Sequence, residues 1–205
     1  MIRIYYSYTN MLNEGIQSRI EAQLSEELKE RLSSLKKESD RKLKILSLGL
    51  LQKALADSGH EDFSLNELKY DKWGRPFFAG AVFDFSISHT DGCAAVAFSE
   101  NCRTGIDIER ISEIDFSDFT AFFTPEQWDE IYSSENPLQS FYSSWTLIES
   151  CAKADGRGLP LLSSGKIVKA GGKMLIENGC WYYRHLLFDE TISCCIASDS
   201  KDTDH

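Results

Sequence analysis

The sequence predicts an α+β fold, and three observations carry that expectation. Residues 40–57 place Leu43, Leu46, Leu50 and Ala54 at helical spacing, and further on Leu138, Phe141, Trp145, Ile148 and Ala152 form a second helical stripe. Two pairs of short apolar runs, 83–88 with 93–98 and 182–187 with 191–197, each flank a turn-forming stretch and read as hairpins. The hairpins lie about 99 residues apart, Phe98-Ser99 against Ala197-Ser198, which hints at a repeated unit.

In chain order, residues 2–8 alternate apolar and polar side chains as a strand does. Charged helical sequence follows to about residue 35, and the 40–57 helix stops before Gly59. Asp71-Lys72-Trp73-Gly74-Arg75-Pro76 is dense in turn formers and reads as a loop. The first hairpin turns around Thr90-Asp91-Gly92. The polar connection Asn101-Cys102-Arg103-Thr104 then divides the chain into halves, 1–103 and 104–205, and Gly105-Ile106-Asp107-Ile108-Glu109 reads as a strand. Thr124, Pro125 and Gln127 supply the N-cap, first helical residue and capping-box partner of one helix. Asn136-Pro137 repeats the arrangement for the next helix, which Gly156 can end in a left-handed conformation.

Composition narrows the function. With 205 residues, 42% of them hydrophobic and 12% aromatic, the chain can bury a substantial core. A net charge of −10 argues against nucleic acid or an anionic membrane surface as the main partner. A phosphate ligand would need a local basic patch, and Lys29, Arg31, Lys36, Lys37, Arg41, Lys42 and Lys44 provide 7 of the 22 basic residues; by themselves they read as a solvated helix face. The six cysteines show no metal-ligand spacing and read as small buried hydrophobes of a reducing compartment. There is no apolar signal core and no run of the roughly 20 apolar residues that a membrane span needs, so a cytoplasmic protein is expected.

The chemistry concentrates in two places. Asp107 and Glu109, at i and i+2 of a strand, point to the same face. Glu149 and Lys153 lie one turn apart along the flank of the second helical stripe, where a plain surface ion pair is the ordinary reading. Three carboxylates and a lysine could converge, and such a group suits a hard divalent cation that keeps positions for water and substrate phosphates.

These residues also carry a resemblance. Gly74-Arg75-Pro76-Phe77, Ser86-Ile87-Ser88-His89, the 105–110 strand, Phe122-Phe123-Thr124 and the 145–159 helix, in this order, resemble the 4'-phosphopantetheinyl transferases of the larger, two-lobed, surfactin-synthetase-activating type. The resemblance implies two similar α/β lobes related by a pseudo-twofold axis with the active site in the cleft between them, and a monomer. It implies transfer of the 4'-phosphopantetheine arm of coenzyme A to a serine hydroxyl of an apo acyl or peptidyl carrier protein, with release of 3',5'-ADP. Asp107, Glu109 and Glu149 would hold Mg²⁺, or Mn²⁺ in its place; Glu149 would act as base, and Lys153 would stand beside the leaving phosphate. Ser88, His89, Arg75 and either Arg41 or Lys44 would meet the phosphates of coenzyme A.

Two departures from the family pattern bear on activity. Ile148 stands where a lysine usually precedes the helix glutamate, and Gln127 replaces a common glutamate. The change at Gln127, with Glu126 before it, is minor; Ile148 alone favours the alternative reading, a catalytically weak paralogue that binds coenzyme A or a carrier without transfer, and a Mg²⁺-dependent phosphohydrolase is the reading that ignores the resemblance. Because carrier proteins are typically acidic and so is this chain, docking is expected to rest on an apolar patch drawn from Phe116, Phe119, Phe122 and Phe123.

Overall fold

Two antiparallel sheets, each backed by one long helix, form the framework; the structure, a computed structural model, describes residues 1–158, 167–170, 172–176 and 179–201. Leu159, the last residue of the motif helix as read from sequence, lies outside the described residues. The first half contains β1 (Ile2–Tyr8), α1 (Glu14–Glu21), α2 (Glu26–Ser33), α3 (Glu38–Asp57), the short strands β2 (Lys69–Tyr70) and β3 (Pro76–Phe77), and the hairpin β4 (Asp84–Thr90) and β5 (Cys93–Ser99). The second contains β6 (Thr104–Arg110), a 3₁₀ segment Phe116–Phe122, α4 (Pro125–Tyr132), α5 (Pro137–Asp155), β7 (Ile167–Ala170), β8 (Lys173–Ile176), β9 (Gly179–Leu186) and β10 (Ile192–Ser198). The charged stretch before residue 35 is two helices rather than one, because the Ser25 hydroxyl accepts from Leu28 N and starts α2 afresh.

The sheets repeat one connectivity. Their orders are β1-β5-β4 and β6-β10-β9-β8-β7, so in each the opening strand pairs with the last strand of a later hairpin, Ile2 opposite Ser99 and Thr104 opposite Ser198. Phe98 and Ala197 thus hold corresponding places, which accounts for the spacing seen in the sequence. β7 and β8, which the sequence reading did not find, extend the second sheet, and β8 buries Met174 and Ile176 on one face.

β5 and β10 are buried on both faces. Ala94, Val96 and Phe98 face α3, while Cys93, Ala95 and Ala97 join Ile106, Ile108, Cys194 and Ile196 in a core between the sheets. Such strands read as continuous apolar runs because neither side meets water. All six cysteines are free thiols, and Cys93, Cys151, Cys194 and Cys195 are buried.

The junction between the halves is made by side chains. One edge of β6 faces β4, yet its amides are met by alternate side chains instead of a strand backbone. Asp84 Oδ2 accepts from Thr104 N at 2.8 Å, Ser86 Oγ from Ile106 N at 3.1 Å, Ser88 Oγ from Ile108 N at 3.3 Å and Thr90 Oγ1 from Arg110 N at 2.8 Å. Buried amides need partners, and satisfying them through side chains holds the strands a side-chain length apart.

Candidate active site

α5 carries one side of the site, and its ends are fixed by the caps the sequence suggests. Asn136 Oδ1 accepts from Gln139 N, Pro137 opens the helix, and Gly156 closes it at φ 94°. Arg103 adds a guanidinium hydrogen bond to the Asp155 carbonyl at 3.0 Å. The helix lies against β6 at Gly105, where no side chain intervenes. A Cβ at that position would stand 2.6 Å from Ala154 N and closer still to the Ser150 carbonyl oxygen. This contact sets Glu149 and Lys153 opposite Asp107 and Glu109.

Asp107 is the centre of the arrangement. It is only 3% exposed, and its Oδ1 accepts from Lys153 Nζ at 2.7 Å and from the Ser88 hydroxyl at 2.9 Å. The Lys153 ammonium also donates to Ser88 Oγ at 2.9 Å. Asp107 Oδ2 is buried with no hydrogen-bond partner. Glu109 accepts a long 3.4 Å hydrogen bond from Thr90. Burial, and next the negative charge of Asp107, push the carboxyls of both Glu109 and Glu149 up to about 7, against the opposing pull of Lys153.

One cavity of about 350 Å³ is lined by all three carboxylates together with Lys153, Ser88, His89 and Lys44. Among the described residues, however, no three His, Cys, Asp or Glu side chains are drawn close enough to form a ready coordination group. The donor set still fits a hard cation. An orphaned carboxylate oxygen shares the cavity with two carboxyls raised first by burial and then by the charge of Asp107, and all the donors are oxygen.

A neighbouring cavity has an apolar floor of Leu28, Leu32, Leu35 and Leu48 with Arg31, Lys44 and His89 at its polar rim. Arg31 and Lys44 both sit over the Tyr70 ring, 4.5 and 5.7 Å from its centroid. Burial, and then the charge of Arg31, lower the Lys44 pKa. Burial first, then the charges of Lys44 and Lys153, lower that of His89. Of the two basic candidates on α3, Lys44 lines both cavities, whereas Arg41 is paired with Glu21 at 2.7 Å. Arg31 was not singled out from the sequence; its place in the basic patch was the available signal.

Two further sequence candidates have commitments of their own. Arg75 is ion-paired with Asp84 at 2.6 Å and donates to the Phe85 and Thr104 carbonyls, so its guanidinium clamps the β4–β6 junction. Ser88 is fully engaged by Asp107, Lys153 and Ile108 N.

The phenylalanines expected to form a docking patch are largely engaged with the core: Phe123 is buried, and Phe116, Phe119 and Phe122 are half-buried. Phe116, Phe119 and Phe123 pack on Phe141, and Phe122 on Trp145, at ring separations of 5.0–5.7 Å, because the 3₁₀ segment turns them toward α5. Ile148 is 2% exposed in the same core. Ile148→Lys should therefore lower stability by about 3 kcal/mol or more without raising turnover; a thermal melt with a transfer assay checks this, and a faster, equally stable variant would show the position misread.

Comparison with known proteins gives concordant results. Residues 103–191 match the family model of the 4'-phosphopantetheinyl transferase superfamily. The chain is 38% identical over 91 residues to the 4'-phosphopantetheinyl transferase gsp of Aneurinibacillus migulanus, a match covering 43% of this chain and 38% of that protein. It is 27% identical over 165 residues to the phosphopantetheinyl transferase of a Thraustochytrium species, covering 72% of this chain and 57% of that one. A 4'-phosphopantetheinyl transferase of Bacillus subtilis is 26% identical over 182 residues, with 86% and 81% covered. The chain therefore spans less than two thirds of the length of the first two relatives.

Proposed function

We propose that this chain is a 4'-phosphopantetheinyl transferase, as the family match over residues 103–191 supports, and that it moves the 4'-phosphopantetheine arm of coenzyme A onto a serine hydroxyl of an apo acyl or peptidyl carrier protein and releases 3',5'-ADP. The observation that carries the reading is the buried, unpartnered Asp107 Oδ2 in a cavity shared with Glu109, Glu149, Lys153, His89 and Lys44. In this reading residues 1–103 and 104–205 are the two lobes, and the junction of β4 with β6 marks the reaction cleft.

Asp107, Glu109 and Glu149 would hold Mg²⁺ or Mn²⁺, which when bound neutralises charge on the pyrophosphate. Lys44, with Arg31 and His89 at the rim of the apolar cavity, suits the 3'-phosphate and ribose end of coenzyme A. Lys153 would meet the phosphate that leaves. Glu149, on the flank of α5 and lining the same cavity, would accept the proton of the attacking serine. Asp107 is the poorer base, since its Oδ1 is already saturated by Lys153 and Ser88.

Incubation with coenzyme A, Mg²⁺ and an apo carrier protein, followed by weighing the carrier, tests the proposal. A mass gain equal to the phosphopantetheine arm supports it; cleavage of coenzyme A without that gain favours a phosphohydrolase, and binding without either favours the inactive paralogue.

His89 supplies a pH test. Its pKa lies below the usual histidine value in the free protein, so the ring is neutral at pH 7, whereas a bound phosphate would favour the imidazolium. A group whose pKa rises on binding contributes affinity below its free value and loses it as pH climbs through the bound value. Coenzyme A should thus bind more tightly as pH falls from 8 toward 6, taking up a proton. Calorimetry without divalent metal, in buffers of different ionisation enthalpy, measures that uptake; if it persists unchanged in His89→Gln, His89 does not meet the phosphate.

A further inference from the structure

Lys153 is the one ammonium in contact with Asp107 among the described residues, and its position bears on the order in which ligands enter. Its Nζ is 2.7 Å from Asp107 Oδ1 and 2.9 Å from Ser88 Oγ. Ser88 is itself fixed, donating to Asp107 and accepting from the Ile108 amide, so the ammonium is seated from two sides. Its flexible four-carbon stem leaves the Lys153 side chain 29% exposed, against 4% for its partner. Lys153 also lines a second cavity, with Trp73, Arg75 and Phe85, that adjoins the carboxylate cavity through Gly74, Pro76 and Ile87 and is lined by none of the three carboxylates. The Lys153 side chain thus lines both cavities.

Resting on the reading of Asp107, Glu109 and Glu149 as metal ligands, we infer that Lys153 is the counter-cation of the metal-free site, and that coenzyme A must draw it away before a divalent ion binds tightly. A divalent ion approaching Asp107 meets a like charge already hydrogen-bonded to one of its two oxygens, in surroundings where charges are poorly screened. The anionic pyrophosphate would give the ammonium another partner and relieve Asp107 of the like charge, leaving Oδ1 with the Ser88 hydroxyl and Oδ2 without a protein partner. The coupling is reciprocal: coenzyme A raises metal affinity by the factor by which metal raises coenzyme A affinity. The free enzyme is thereby kept from holding a divalent ion without its substrate.

Mn²⁺ binding to the full chain, followed by the paramagnetic resonance signal of the free ion at fixed pH, tests this without turnover. Wild type should bind Mn²⁺ weakly alone and at least tenfold more tightly with coenzyme A. Lys153→Met should bind Mn²⁺ at least tenfold more tightly than wild type when coenzyme A is absent and should show a smaller coenzyme A effect than wild type, the remainder being the metal's own attraction to the pyrophosphate. Lys153→Arg, which keeps the charge, should stay weak. Equal or weaker Mn²⁺ binding by Lys153→Met overturns the inference while leaving the metal reading intact. Absence of the coenzyme A effect in wild type overturns it too, independently of whether the variants fold. If neither wild type nor Lys153→Met binds Mn²⁺, with or without coenzyme A, the metal reading fails and the inference fails with it.

Discussion

Asp107→Asn should give a folded protein that transfers at less than about a thousandth of the parent rate, the scale on which losing a group that stabilises developing charge is felt. The amide keeps the shape of the carboxylate, and its oxygen can still accept from Lys153 and Ser88 where Asp107 Oδ1 does. What disappears is the negative charge and the second oxygen, the atom that has no protein partner. Lys153 stays partly exposed, so losing its counter-charge should cost about 1–2 kcal/mol rather than unfold the chain. Steady-state transfer rates, with a thermal melt to confirm folding, decide the point. Parent-like activity at low Mg²⁺ would remove Asp107 from the site.

Much of this arrangement is legible in the sequence where a periodicity carries it. The i,i+2 spacing of Asp107 and Glu109, the i,i+4 spacing of Glu149 and Lys153, and the caps at Asn136 and Gly156 each follow from the geometry of a single element. What stays hidden depends on pairing between elements. The junction of β4 with β6 joins side chains to backbone amides about twenty residues away, as Ser86 does to Ile106, so Ser88 and Arg75 look free for phosphate when both are committed. The alternation Asp84, Ser86, Ser88, Thr90 was the available signal: a strand with polar side chains on every second residue has a face that needs donors. Phe116, Phe119 and Phe122 of the 3₁₀ segment, and Phe123 just after it, pack toward the core to differing degrees, which composition does not reveal because it does not show which way a short irregular segment turns. That Arg41 pairs with Glu21 on α1 while Lys44 lines the cavities likewise depends on contacts between elements that spacing does not show.

The largest effect on the fold itself is expected from a single methyl group at Gly105. Its backbone is ordinary β6 strand, so the requirement for glycine is one of space and not of dihedral angle. An added Cβ would lie within 2.6 Å of Ala154 N and 3.0 Å of Ala154 Cβ, both on the rigid backbone side of α5, with the Ser150 carbonyl closer still. No flexible side chain can yield there, so the helix must move off the strand. Ser150, Cys151, Ala152 and Ala154 are all buried against that contact, and displacement would open the core along their length. Gly105→Ala should therefore destabilise the protein by about 3 kcal/mol or more, at the upper end of overpacking effects, which for a chain of this size lowers the melting temperature by roughly 6–12 °C. The same shift carries Glu149 and Lys153 away from Asp107, so the variant should also lose transfer activity at temperatures where it remains folded, a loss that a reacting geometry off by about 1 Å would produce. Calorimetry with a transfer assay well below the melting point separates the two consequences. A variant as stable and as active as the parent would show that α5 and β6 are not held together at Gly105.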